Sequence, residues 1–206
     1  VYQPPAFRED RLDVQHDLIR AHPLGLLITA GPGGLVANPI PFLVAAAPPF
    51  GVLRAHLARA NPQLDDLRAG AACLVVFQGP QHYVTPSWYA SKAEHGRVVP
   101  TWNYATVHAW GTPLVHDEAP WLRRQIEDLT DRSEQARAQP WAVDDAPADF
   151  VAGQIKGIVG LEIPIARIEG KWKVSQNRPP ADRAGVVAGL QAQGAIDMAG
   201  LVAGRG

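Results

Sequence analysis

Apolar and polar positions alternate in short runs along much of this chain, the period of strands with one buried face. Strand candidates cover residues 24–30, 35–46, 52–57, 71–77, 82–85 and 102–113, of which 24–30 and 71–77 are apolar runs rather than alternating ones. Gly31-Pro32-Gly33-Gly34 separates the first two as a turn. Pro39 and Pro41 inside the second predict an edge strand or a bulge, because proline has no N–H to give to a sheet ladder. Residues 158–168 and 171–174 read as a hairpin across Glu169-Gly170. Helical spacing marks 8–21, with Leu12, Leu18 and Ile19 apolar and a stop before Pro23. It also marks 61–68, 119–138, 145–154 and the tail from 180 to 202. Short strands with helices around them predict a mainly β, α+β chain, built as an antiparallel barrel rather than a βαβ sheet. No linker or repeat divides the chain, so residues 1–206 are expected to form one domain with helical additions at both ends.

One strand departs from the usual pattern. In VPTWNYATVHAWG (99–111), Trp102, Tyr104, Thr106, His108 and Trp110 share one face. Thr101, Asn103, Ala105, Val107 and Ala109 share the other. An ordinary half-buried strand pairs an aliphatic face with a charged one. An aromatic face with polar tips suits a flat, polar-edged ligand or a subunit interface, and also a core strand whose polar tips find partners. The aromatic face is expected on the dimer side, and Thr101 with Asn103 nearer a ligand.

Composition narrows the function. Of 206 residues, 47% are hydrophobic, and 19 basic residues face 20 acidic ones. That balance lacks the basic footprint of a dedicated nucleic-acid binder. No apolar run is long enough to span a membrane, and VYQPPAFRED has no signal-peptide core. The single cysteine, Cys73, lies in the apolar run ACLVVF and reads as a core residue. A cytoplasmic protein is expected. The seven histidines are dispersed without H-x-x-x-H spacing, and there is no C-x-x-C, so metal chemistry is not expected. The chain has neither a Walker A loop nor a G-x-G-x-x-G after a strand.

Three further patches carry candidate chemistry. In LRAHLARANPQL (53–64), Arg54 and His56 share a strand face, Arg59 follows, and Asn61-Pro62 opens a helix. Cations beside a helix start make a candidate phosphate cradle; a solvated strand end before a capped helix is the plainer reading. HYVTPSWYASK (82–92) places aromatics, hydroxyls and Lys92 around a proline turn, but Ser87 and Ser91 lack G-x-S-x-G flanks. If the last strand continues through GKWKVSQNR (170–178), Lys171, Lys173, Ser175 and Asn177 face one way, and Trp172, Val174 and Gln176 the other. Such a face fits a phosphate or the polar edge of a heterocycle, or else it is simply solvated.

These runs, with VYQPPAFRED, resemble in order and spacing the PaiB-like family of FMN-binding negative transcriptional regulators. PTWNY and KWKVSQN carry the resemblance most specifically, and it covers nearly the whole chain. It implies a six-stranded antiparallel split β-barrel of the FMN-binding type, as in pyridoxamine phosphate oxidases and flavin reductases. It implies a homodimer with FMN in clefts at the subunit interface. Carried onto this sequence, Arg54, His56, Arg59 and Asn61 would contact the FMN phosphate. The small strand face at Ala37 and Asn38 would let the ring lie near backbone. Lys92, Thr101, Trp102 and Asn103 would approach the ring or ribityl chain, and Lys171, Lys173, Gln176 and Asn177 would complete the site. At ANPIPF (37–42) the chain departs from the family pattern, which has His where Pro39 stands.

Two functions follow from the resemblance. One is a flavin-binding regulator acting through partners, since the acidic residues of the helix at 125–138 repel DNA phosphate as much as Arg132 and Arg137 attract it. The other is an FMN-dependent oxidoreductase of the pyridoxamine phosphate oxidase-like or flavin reductase-like type, with His56, His82 and Tyr104 as acid–base candidates. The Pro39 departure leaves a third reading, a dimeric scaffold without cofactor.

Overall fold

The computed structural model describes residues 1–205. Its strands are β1 (Arg8–Glu9), β2 (Leu24–Gly31), β3 (Gly34–Pro41), β4 (Leu43–Ala45), β5 (Val52–Ala58), β6 (Cys73–Val84), β7 (Thr101–Gly111), β8 (Leu114–His116) and β9 (Ile158–Lys173). Its α-helices are α1 (Leu12–Ala21), α2 (Gln63–Arg68), α3 (Ser91–His95), α4 (Ala119–Glu134), α5 (Ala148–Lys156), α6 (Pro180–Ala192) and α7 (Ile196–Ala203). The mainly antiparallel β architecture with surrounding helices is as expected. The strands form one sheet in the order β3-β2-β6-β7-β9-β5-β4, with β1 and β8 also paired to β9. The sheet has nine strands rather than the six of the expected barrel, and among the described residues its ends, β3 and β4, are not paired to each other.

Two local readings change. Residues 71–77 and 82–85 are not separate strands but one, β6. Gly79 and Pro80 do not turn the chain: a Cβ on Gly79 would lie 2.9 Å from the Leu18 side chain and 3.4 Å from the Ala105 carbonyl oxygen. The glycine therefore marks a close approach rather than a turn. Likewise Glu169-Gly170 is no hairpin, because β9 runs straight through it. Gly170 pairs with Glu9 of β1, and a Cβ there would lie 2.8 Å from the Glu9 carbonyl oxygen.

The chain clusters into two compact units. The first comprises 1–18, 78–107 and the chain from 169 onward. Its core holds Val84, Ala105, Val107, Trp172, Val174, Val186, Leu190, Met198 and Val202, all buried. Trp88 lies against the side of α6 that Gly185 and Gly189 leave bare. Glu9, only 3% exposed, accepts bonds from Arg11 and Arg205, and the Arg205 guanidinium lies 4.7 Å above the Trp172 ring.

The second unit comprises 19–77 and 108–168. Leu27, Leu53, Leu67, Leu161 and Ile163 are buried in it, and Phe42 meets Phe77 edge-on at 5.7 Å. A smaller cluster of Leu122, Val143, Val151 and Ile155 seats α4 against α5. Strand alternation leaves one face of β2 and β3 bare: Leu24, Leu26, Ile28 and Ala30 stand opposite Pro41, Pro39, Ala37 and Leu35. Leu24, Leu26 and Leu35 are exposed.

Candidate functional site

The predicted site residues fall into two sets, one in each unit. In the first unit, β7 and β9 place Lys171 and Lys173 on one strand face. Lys171 is 6% exposed. Its ammonium lies 5.4 Å from the Tyr2 ring centroid and 5.2 Å from that of Tyr104. No carboxylate or hydrogen-bond acceptor among the described residues meets it. Lys173 donates to the Thr101 hydroxyl and, at 2.9 Å, to the Trp102 carbonyl. Burial, then the neighbouring charges of Lys171 and Arg178, lower its pKa from the ordinary lysine value. The cluster is thus rich in donors, cationic, and walled by tyrosines.

Around it, Trp102 is half-exposed and gives its indole N–H to the Gln81 side chain. Asn103 is buried, and its amide donates to the Ser175 hydroxyl at 2.9 Å. The expected extension of the strand to Asn177 does not occur, since β9 ends at Lys173. Ser175 takes a left-handed φ of 66° and turns the chain. Gln176 folds back, donating to the Trp172 carbonyl at 2.5 Å and accepting from the Val174 amide at 2.8 Å. Asn177 is exposed in that turn, and Lys92, on α3, is exposed and bonded to Ser87 at 3.2 Å. Lys171, Lys173, Thr101 and Trp102 are therefore brought together, whereas Lys92 bonds to Ser87 instead and Asn177 lies exposed in the turn. The sequence reading left Tyr2 out of the site and placed Ser175 on the lysine face of an extended strand. Only the Ser175 backbone conformation could have flagged the turn, and composition does not reveal it.

In the second unit, Arg54 and His56 share one face of β5. Arg54 donates to Asp128 of α4 at 2.7 Å. Arg59 donates to Asp117 at 2.7 Å and to the carbonyls of Lys156 and Ile158 at 3.0 and 2.9 Å. Arg68 grips both oxygens of the same Asp117, at 3.0 and 2.9 Å. Hydrogen bonds from Arg68 and Arg59 hold the Asp117 carboxyl down at about 2. Asn61 accepts the Gln63 amide at 3.0 Å. The helix begins two residues later than expected and is only six residues long, so it has too few turns to act as an anion site by itself. His56 is paired across the ladder with Gly160, as is His116 from the other side. Burial lowers the His56 pKa, and its Nδ1 is buried without a partner. Trp121 covers the space over Gly160 and stacks on His116, ring centroids 4.3 Å apart.

The serines of 82–92 are not nucleophiles in this arrangement. The Ser91 hydroxyl donates to the Asp182 carboxylate, and Ser87 accepts from Lys92. Among the described residues no cluster of His, Cys, Asp or Glu could hold a metal ion. Nor, among the described residues, is any helix long and apolar enough to cross a membrane.

Residues 1–167 match the profile of the family described as "Putative FMN-binding domain". An uncharacterized protein of Emericella nidulans is 35% identical over 227 residues, spanning 93% of this chain and 90% of its own. The protease synthase and sporulation protein PAI 2 of Bacillus subtilis is 30% identical over 193 residues, covering 93% of this chain and 89% of its own. Among solved structures, the FAD and heme binding protein from Mycobacterium smegmatis superposes with a TM-score of 0.60 at 21% identity, over 81% of this chain and 73% of its own. The flavocytochrome Anf3 from Azotobacter vinelandii does so with 0.61 at 12% identity, over 84% and 72%. At these identities the likeness is one of fold.

Proposed function

The chain belongs to the PaiB-like family of proteins with an FMN-binding domain, and on that premise we propose that it holds FMN and acts as a negative regulator of transcription through protein partners. The observation that carries the cofactor reading is Lys171, whose side chain is mostly buried and whose ammonium faces two tyrosine rings and no acid. Aromatic faces hold an ammonium in place without neutralising it, so its charge stays available to an anionic or acceptor-rimmed ligand. FMN is flat, rimmed with acceptors and anionic, which fits a cationic, aromatic-walled cluster.

In this reading Lys171, Lys173 and the Thr101 hydroxyl hold acceptor atoms of the cofactor, and Trp102 and Tyr104 wall it. Gln176 and Asn177 stand at the turn beside them, and Asn103 positions that turn through Ser175. Bound FMN would supply one- or two-electron redox chemistry. The residues' part is to bind, orient and stabilise negative charge. Arg54, His56, Arg59 and Asn61 are proposed separately as a phosphate-binding set, in which phosphate replaces Asp117 on Arg59 and Asp128 on Arg54. We further propose a homodimer and a split barrel of the FMN-binding type. The bare apolar face of β2 and β3 supports the dimer, since monomers rarely expose a contiguous apolar surface of that kind.

The test is an FMN titration of the purified protein, followed by flavin absorbance and fluorescence. Saturable binding that Lys171→Met weakens at least tenfold supports the reading. Colourless protein with no titratable FMN overturns it. For the regulatory half, a promoter fragment is expected to shift in a gel only when the partner protein is added. Steady NAD(P)H oxidation by the FMN-loaded protein would instead favour an oxidoreductase.

A further inference from the structure

Helices α6 and α7 flank an open groove of about 370 Å³, within the size range of small-molecule sites. Its apolar lining comes from Ala184, Val187 and Ala188 of α6 and Val202 of α7. Val202 is buried and forms the floor. Two polar side chains, Arg183 and Gln191, border it. The groove lies beyond residues 1–167, the part matched to the FMN-binding family.

Arg183 is the unusual member. Its guanidinium has no ion pair and no hydrogen-bond partner among the described residues, and its Nε is buried and unsatisfied. The Nε atoms of Arg8, Arg11, Arg59, Arg123 and Arg137, by contrast, each donate to a carboxylate or a carbonyl. A guanidinium stays charged at any ordinary pH and offers five donors in a fixed fork. A donor withdrawn from water without an acceptor costs about 1–3 kcal/mol. The missing group is an acceptor, and beside a fixed positive charge the matching acceptor is an anion. The rest of the lining asks for an apolar body.

We propose that this groove binds a small amphipathic carboxylate, its carboxylate on Arg183 and its hydrocarbon body along Val187 and Val202. The volume suits an acid of about eight carbons. Charge and apolar lining together select against the neutral alcohol and against the amine of equal length.

The experiment titrates octanoate, 1-octanol and octylamine into the full chain and follows the methyl resonances of Val187 and Val202. Octanoate is expected to shift these signals saturably, with octanol at least tenfold weaker and octylamine without effect. Arg183→Gln should bring octanoate down to the level of octanol while the octanol response stays as it was. Val187→Trp, which fills the groove, should abolish both. FMN affinity should be unchanged in these variants, so that failure here is separable from failure of the cofactor reading. No shift with octanoate in the wild type would overturn the proposal. So would Arg183→Gln binding octanoate as tightly as wild type. So would Val187 and Val202 shifts that appear on raising protein concentration alone, which would mean that a second copy fills the groove.

Discussion

Asp182, in the first turn of α6, accepts two hydrogen bonds from Ser91, the backbone amide at 2.9 Å and the hydroxyl at 2.7 Å. The pair ties α3 to α6 across 91 positions of sequence. Burial pushes the Asp182 carboxyl up, but the two bonds from Ser91 and the charges of Arg178 and His95 push it further down, and the net shift is downward. Asp182→Asn should cost about 2 kcal/mol of unfolding free energy in urea, the scale of a hydrogen bond to a charged group. Ser91→Ala should cost less, because the amide still has its acceptor.

Glu9 sets the acid limit of the first unit. Burial raises its pKa, but hydrogen bonds from Arg11 and Arg205 outweigh that and bring it down to about 2. A folded-state value below the unfolded one contributes stability above the unfolded pKa, and that stability is lost as pH falls toward 2. Stability should therefore hold down to about pH 4.5 and then decline. Glu9→Gln should flatten that decline, at a cost of about 3 kcal/mol at neutral pH. Urea melts between pH 2 and 7 read both effects.

Glycines on the helices separate packing from propensity. A Cβ on Gly189 would run into the Trp88 indole, whereas one on Gly153 in α5 meets nothing. Gly189→Ala should destabilise by about 1–3 kcal/mol through overpacking. Gly153→Ala should stabilise by up to about 1 kcal/mol through helix propensity. Thermal melts of the two variants against wild type test the opposite signs.

Asp117 occupies the Arg59–Arg68 clamp as a phosphate would. If phosphate competes for that clamp, Asp117→Asn should tighten binding of inorganic phosphate several-fold by calorimetry. Arg59→Ala should abolish the gain.

The bare face of β2 and β3 predicts a self-association that can be broken. Leu26→Glu with Leu35→Glu should shift the protein to monomer by light scattering, with its circular dichroism retained. A monomeric wild type would remove the dimer reading.

Much of this fold was legible in the sequence, because a strand period of two and a helix period of 3.6 leave different marks. The runs that became β2, β5, β7, α1 and α4 were visible that way, and the two prolines correctly placed β3 at a sheet edge. The break read between 77 and 82, where Gly79 stands, and the turn read at Gly170 share a cause. Glycine signals a turn, but it also lets another backbone or side chain approach, and only tertiary structure distinguishes the two. At the candidate site, Thr101, Trp102, Lys171 and Lys173, which the family resemblance grouped, lie near one another. Nothing in the sequence signalled that Asp117 and Asp128 engage Arg59 and Arg54, since ion pairs between residues 58 and 74 positions apart leave no local pattern. Nor did it show that Ser175 turns the chain.

Pro39 and Pro41 also limit how this molecule can associate. The sheet ends in β3 on one side and in the three-residue β4 on the other. An edge strand with two missing N–H donors is a poor template for further strands, and a very short one offers little to copy. The exposed leucines can then meet another surface flat against flat without seeding the edge-to-edge growth that leads to fibres.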